Sequence, residues 1–277
     1  MSDNYFSKLT KGLTLIDGIW FSKEPHNVYY PKEGNRIFFE IEDTSFWYRH
    51  RNNCIIAAAT NYLKPDNPIV EIGSGNGFVA QGLINSGFDV ILIEPDPTGI
   101  INSKNRGLKK LICSSFDNLT VEENSLENVV LFDVLEHIAD DSLILSKVYK
   151  SMKNDAIMMI TVPAYNFLWS DEDEHDGHFR RYELTKLCRK LKRIGFAVQY
   201  TTYFFSLLPM AIILFRTIPS ILNLKRQYTV RTYQRENRLS TDLFFSLLTK
   251  IFAMELKLVK SERKILFGSS ILLVAKK

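Results

Sequence analysis

A chain of 277 residues with 45% hydrophobic and 24% charged content holds one sizeable core plus an appendage, which excludes a fibrous or disordered protein. A formal net charge of +4 falls short of a typical nucleic-acid binder, which concentrates far more positive charge on one face, so no nucleic-acid partner is expected. Cys54, Cys113 and Cys188 give neither a disulfide framework nor metal-ligand spacing, and residues 1–18 show no secretory leader, so a cytoplasmic location is expected.

Residues 1–42 are aromatic-rich and broken by Gly12, Gly18, Pro25, Pro31 and Gly34, which predicts a cap of short strands or hairpins rather than helix. Asp43-Thr44-Ser45 offers N-cap chemistry for a helix reaching about Leu63, with Ile55, Ala58, Ala59 and Tyr62 on one face. After Pro68, short apolar runs alternate with amphipathic stretches. Strands are predicted over 69–72, 89–93, 111–113, 128–132 and 156–162, and helices over 78–86, 98–106 and 140–152. A helix over 183–194, a strand over 196–203, a helical insertion over 204–265 and a last strand over 270–275 complete the chain. Such alternation makes an α/β protein with a parallel sheet and helices on both faces. The stretch 194–215 carries no charge, but Gly195, Thr201, Thr202, Ser206 and Pro209 suit hydrocarbon poorly, so no membrane span is expected.

The chemistry is concentrated where Ile69-Val70-Glu71-Ile72 runs into Gly73-Ser74-Gly75-Asn76-Gly77, a buried strand entering a glycine turn that opens a helix. The backbone there must turn tightly and let a ligand approach. Glu94 lies 17 residues past Gly77, at the end of the second strand, placed to accept both ribose hydroxyls of an adenosine. Gly75-x-Gly77-x-x-Ala80 also fits an NAD fingerprint, which keeps an NAD-dependent oxidoreductase as a third reading. Two features oppose it. Glu71 sits in the strand where a dinucleotide site keeps apolar residues, and counting from Gly73 puts Phe78 where the third glycine belongs. An acid near the turn favours an ammonium-bearing ligand over a pyrophosphate.

Glu71-x-Gly73-x-Gly75-x-Gly77, Glu94 and Phe132-Asp133-Val134-Leu135-Glu136-His137, in that order, resemble the motifs of class I S-adenosylmethionine-dependent methyltransferases. The resemblance covers about 43–203 and resumes at 267–276. It implies a Rossmann-like seven-stranded, mostly parallel sheet with the last strand inserted antiparallel. It also implies S-adenosylmethionine as cofactor. Glu71, Gly73, Ser74, Gly75 and Gly77 would lie near its methionine part, Glu94 on the ribose, Ser115 and Phe116 beside the adenine, and Asp133 along the cofactor. Many relatives carry an aspartate where this chain has Ser115; a neutral hydroxyl there should bind the adenine more weakly.

Methyl transfer is an in-line displacement that needs alignment, exclusion of water and a base for a hydroxyl or amine acceptor. Asp133, Glu136 and His137 follow the fourth strand at the ligand-binding edge of the sheet. A second group, from Leu168 to Tyr182, follows the fifth strand. His137, His175 and His178 are candidate bases, while Trp169, Arg180, Arg181 and Tyr182 are candidate acceptor contacts, the arginines suited to a phosphate or carboxylate. This loop resembles a bacterial branch of the family with a Gly-His-x-Arg-Arg-Tyr segment, and Phe46-Trp47-Tyr48-Arg49-His50-Arg51-Asn52 fits the same branch, with Trp47 and Tyr48 as pocket walls. Ligand spacing in the loop matches no metal pattern, so no metal is expected.

The reading that results is a methyltransferase domain over 43–277 behind a cap over 1–42, acting on a small-molecule or lipid-linked acceptor such as a glycan or isoprenoid precursor. The alternative is a scaffold that binds S-adenosylmethionine without turnover. Apolar residues over 204–224, followed by Lys225, Arg226, Arg231, Arg235 and Arg238 against Glu236, also predict contact with a membrane surface through 204–238, at the inner face.

Overall fold

The computed structural model describes residues 2–24, 34–224 and 243–277. Nine strands form one sheet: β1 (Thr14–Ile16), β2 (Ile19–Phe21), β3 (Ile69–Ile72), β4 (Val90–Glu94), β5 (Leu111–Cys113), β6 (Leu126–Phe132), β7 (Met152–Pro163), β8 (Ala197–Phe204) and β9 (Ser270–Lys276). Their order is β1-β2-β5-β4-β3-β6-β7-β9-β8. The seven strands from β5 to β8 are those the sequence predicts, and β9 runs antiparallel to both β7 and β8, as expected.

The sheet is two strands wider than expected. An Asp17-Gly18 turn with φ of 49° and 77° reverses the chain between β1 and β2, the turn chemistry a tight hairpin needs. β2 then pairs parallel to β5, matching Ile19 with Leu111 and Phe21 with Cys113. The hairpin was legible; its union with the main sheet was not, because a three-residue strand carries no periodic signal. The expected absence of helix is corrected, since α1 (Ser2–Leu9) and α2 (Gly34–Phe39) flank the hairpin.

Helices cover both faces. On one lie α6 (Asp141–Ser151) and α8 (Leu184–Ile194), packing Ile144, Leu145, Val148, Leu187 and Leu191 on Val70, Ile72 and Leu131. On the other lie α3 (Phe46–Tyr62), α4 (Phe78–Asn85) and α5 (Pro97–Asn105), which bury Cys54, Ile55, Ala58, Leu83 and Ile100 on Ile69, Leu92 and Val130. Alternation along β3 puts Val70 and Ile72 under the first layer. Glu71 therefore shares the face of Ile69, under α3. β3 is flanked by β4 and β6, so the ends of all three open at one place.

A short α7 (Asp171–His175) follows β7. The insertion leaves β8 through α9 (Leu208–Ile212), a π-wound turn (Ile213–Thr217) and α10 (Ile218–Ile221), and returns through α11 (Leu243–Lys260). No helix among the described residues is long and apolar enough to cross a membrane. The basic run from Lys225 to Arg238 lies outside the described residues.

Candidate active site

The ends of β3, β4 and β6 open into a cavity of about 1180 Å³. Its near half is built by the glycine turn. Gly73 has φ 73°, and a Cβ there would meet Val134 Cγ2 at 2.6 Å; Gly77 has φ 74°, and a Cβ would meet Leu108 and Ser103 at 2.6 and 2.7 Å. Glycine is therefore required at both by conformation and by space. Glu94 closes the turn: its Oε2 accepts from Gly75 N at 2.7 Å and its Oε1 from Asp96 N at 2.9 Å. Burial pushes its carboxyl up to about 7 against those two hydrogen bonds.

Glu71, 2% exposed, has an Oε2 with no hydrogen-bond partner. Burial pushes its carboxyl up to about 8; the nearby Arg51 charge opposes this and Glu94 adds to it. Ser74 Oγ is likewise buried and unpartnered. Asp133, at φ 54° after β6, receives Thr161 Oγ1 at 3.1 Å and the Arg51 Nε–H. Arg51, 7% exposed, is reached from α3 and also lies over the Trp47 ring. Sequence reasoning missed this residue's role. A buried guanidinium beside Glu71 and Asp133 can take a carboxylate, as Glu71 can take an ammonium. Trp47 and Tyr48 line the cavity as expected, with Trp47 stacked on Phe205 at 5.4 Å. Ser115 and Phe116 line it beyond β5.

These groups fit S-adenosylmethionine. The unpartnered Glu71 oxygen and Arg51 match the two ends of its amino acid, Glu94 its ribose, and Ser115 with Phe116 its adenine.

The far half is walled by Glu136, His137, Glu172, Asp173, Asp176, His178 and Arg181, with Leu208, Ala211, Ile212, Phe215 and Arg216 from the insertion. Asp173 organises it. It closes a capping box on Ser170 at the start of α7 and accepts from His178 Nδ1 and Arg181 Nε, both at 2.8 Å. Burial opposes charge on His178, but the Asp173 bond and the Glu136 and Asp176 carboxylates outweigh it and raise its pKa. His137 meets the His178 ring edge-on at 4.8 Å. Glu136, 1% exposed, has an unpartnered Oε2 and is pushed up to about 8, by burial first and Asp133 second.

The structure thus brings together Glu71, Gly73, Ser74, Gly75, Glu94, Ser115, Phe116, Asp133, His137, His178 and Arg181 around one cavity, with Gly77 setting the turn behind it. It leaves His175, Trp169, Arg180 and Tyr182 off the cavity wall. His175 is exposed on α7, and Trp169 Nε1 donates to Glu174 at 3.4 Å. Arg180 pairs with Asp141 at 3.2 Å, and the buried Tyr182 hydroxyl donates to Asp141 at 2.9 Å. Both arginines are paired with carboxylates of the fold, Arg180 with Asp141 and Arg181 with Asp173. Glu172, Asp173 and Asp176 were missed because an acidic run reads as solvated, the Ser170-x-x-Asp173 capping box being the available signal, and Arg216 because its partner Glu172 is distant in sequence.

Residues 48–201 match the family model described as a methyltransferase domain. The chain belongs to the methyltransferase domain family. It is 21% identical over 131 residues to a "Probable S-adenosylmethionine-dependent methyltransferase" of Mycobacterium tuberculosis, covering 47% of each chain. It is 29% identical over 96 residues to the ubiquinone biosynthesis O-methyltransferase of Rhodopseudomonas palustris, covering 33% of this chain and 38% of that one. The match thus spans about half or less of the length of these curated relatives. Among solved structures, the Haemonchus contortus phosphoethanolamine N-methyltransferase 2 bound to S-adenosyl-L-methionine superposes with a TM-score of 0.55 at 15% identity, over 89% of this chain and 57% of that one. An S-adenosylmethionine-dependent methyltransferase of Archaeoglobus fulgidus gives 0.50 at 18% identity, over 82% and 94%. At these identities the superpositions show the shared fold.

Proposed function

We propose that this methyltransferase-family protein transfers the methyl group of S-adenosylmethionine to a small-molecule or lipid-linked acceptor bound in the far half of the cavity. The observation that carries the reading is the buried, unpartnered Glu71 carboxylate at the foot of the glycine turn, in one cavity with Arg51 and Glu94. S-adenosylmethionine, when bound, supplies an electrophilic sulfonium methyl. Glu71 and Arg51 hold its amino-acid end, Glu94 fixes the ribose, and Phe116 packs the base. Glu136 and His178, opposite, hold or receive the acceptor's proton, and the apolar insertion helix excludes water.

Leu208, Ala211, Ile212 and Phe215 give the acceptor compartment one apolar wall. The same helix exposes Met210, Leu214, Phe215, Ile218 and Ile221 outside. That continuity favours an acceptor with an apolar body, such as a lipid-linked glycan or isoprenoid precursor, met at a membrane surface.

Calorimetry on wild type and Glu94→Ala tests the cofactor. Loss of an acceptor shared by two hydroxyls should weaken S-adenosylhomocysteine by at least about 1.5 kcal/mol, roughly tenfold. Unchanged affinity in the variant, or saturable binding of NAD, overturns the assignment. Cofactor binding with no transfer to any acceptor would favour the scaffold reading instead.

A further inference from the structure

The far half of the cavity gathers more acids than its own cations engage. Four carboxylates face it, Glu136, Glu172, Asp173 and Asp176, against Arg181, Arg216 and His178. Asp173 is matched by His178 and Arg181, and Glu172 pairs with Arg216. Glu136 and Asp176 keep buried oxygens, Oε2 and Oδ1, with no hydrogen-bond partner. Burial pushes the Glu136 carboxyl up to about 8 and the Asp176 carboxyl up to about 7, so with no ligand bound both lean to the neutral form. A buried carboxylate without a partner is costly, and Glu136 is 1% exposed.

From this geometry we propose that the methyl acceptor is an amine on an apolar body, its ammonium received by Glu136 and Asp176 beside His178. The inference rests on the reading of the cavity as a methyl-transfer site and deepens it by naming the acceptor atom as nitrogen. A monocation draws both acids to their ionised form and supplies N–H donors for both orphan oxygens. An anionic acceptor would meet two unpaired carboxylates and no free guanidinium, since both arginines of this half are engaged. A neutral alcohol, with one O–H donor, would satisfy a single oxygen. Leu208, Ala211, Ile212 and Phe215 offer the apolar body its wall.

The step balances without a further reagent. The arriving ammonium drives the resting proton of Glu136 out to water, then passes one of its own protons to the carboxylate so formed, and the freed lone pair on nitrogen attacks the methyl carbon. The N–C bond forms as the C–S bond breaks, the electron pair stays on sulfur, and S-adenosylhomocysteine and a methylated ammonium leave. Glu136 returns its proton to water. Burial, which pushes the Glu136 carboxyl up to about 8, makes it a proton acceptor of the right strength for neutral solution.

The test uses the whole chain saturated with S-adenosylhomocysteine and a matched set of octylamine, octanol and octanoate, titrated by calorimetry in the presence of EDTA. Binding of S-adenosylhomocysteine itself is measured first, so that failure of the cofactor site is read separately. Octylamine should bind about tenfold or more tighter than octanol, the margin expected for charge-assisted hydrogen bonds, with octanoate weakest. It should also accept labelled methyl from S-adenosylmethionine. Glu136→Gln should remove most of the amine preference while S-adenosylhomocysteine affinity stays within a few-fold. Should Glu136→Gln not fold, Asp176→Asn and the wild-type ratio carry the same comparison. Equal or tighter binding of octanol or octanoate overturns the proposal, as does failure of octylamine to bind where S-adenosylhomocysteine binds normally. Glu136, His137 and His178 also place possible metal-ligand atoms within 4.8 Å of one another. Stoichiometric binding of Mn2+ that excludes octylamine would therefore overturn it too.

Discussion

Glu71 is an acid held in conditions that favour its neutral form, and on the proposed reading of the cavity this makes cofactor binding a proton-linked event. Its carboxyl is pushed up to about 8 by burial, so at pH 7 the resting protein holds the proton. An ammonium arriving at Glu71 favours the ionised form, so the proton must leave. Calorimetry at pH 7 in buffers of different ionisation enthalpy should show proton release on binding S-adenosylhomocysteine, and Glu71→Gln should abolish most of it. The same groups set a stability trend with a definite sign. Glu71, Glu94 and Glu136 have folded-state values raised above the ordinary carboxyl value, so the stability they contribute is full below about 4.5 and is lost as pH rises towards about 8. Across the cavity, His178 and Arg181 are bound to Asp173 and not to the glycine turn. His178→Ala and Arg181→Ala should therefore keep S-adenosylhomocysteine affinity within a few-fold by calorimetry. A large loss would make this loop part of the cofactor site.

At the scale of elements, the clearest dependence is between α11 and the exit from β8. Glu255, 1% exposed on α11, accepts from His50 Nε2 at 2.8 Å, Phe205 N at 3.0 Å and Ser206 N at 2.6 Å. Phe205 has φ 60°, and a Cβ on Gly268 would lie 2.2 Å from Phe204 O, so both ends of the insertion are crowded at this spot. Glu255→Ala leaves the buried Phe205 amide, the half-buried Ser206 amide and an imidazole without an acceptor and should destabilise the fold by about 3 kcal/mol, read from denaturant midpoints. None of this was legible in the sequence, because Glu255 and His50 are 205 residues apart and each reads as an ordinary helical polar residue. Arg51 was hidden for a related reason. α3 buries His50, Arg51 and Asn52 as well as Cys54, Ile55, Ala58 and Ala59, so it has no polar face to mark which charged residue points inward. The strand–turn–helix units were legible because they carry local signals. Each strand is a short apolar run, each turn has its glycine or cap, and the acids Glu71, Glu94 and Asp133 interrupt that pattern where the sheet opens.

For the whole molecule, the cavity mouth and the outer apolar surface are shared by one helical stretch. Met210, Phe215 and Ile221 are 61, 72 and 72% exposed on it, while Leu208 and Ile212 turn to the cavity. The sequence that follows, with five basic residues between Lys225 and Arg238 against Glu236, would attract an anionic bilayer, each such residue contributing about 1 kcal/mol near the surface. The protein should float with liposomes containing anionic lipid at low salt and release at high salt. Protein that stays at the bottom of every gradient ends the membrane reading, and flotation that survives alkaline carbonate would mean insertion deeper than a surface contact.

Helix α3 also joins two parts of the molecule that would otherwise be separate. His50 is fastened to the insertion through Glu255, and the next residue, Arg51, enters the cofactor half of the cavity. A rotation or slide of α3 by a fraction of a turn cannot move one without the other. The insertion and the buried guanidinium are thus parts of one lever. Swapping residues 204–265 for those of a relative, in order to change acceptor preference, would retune cofactor affinity in the same stroke unless Glu255 travelled with the graft.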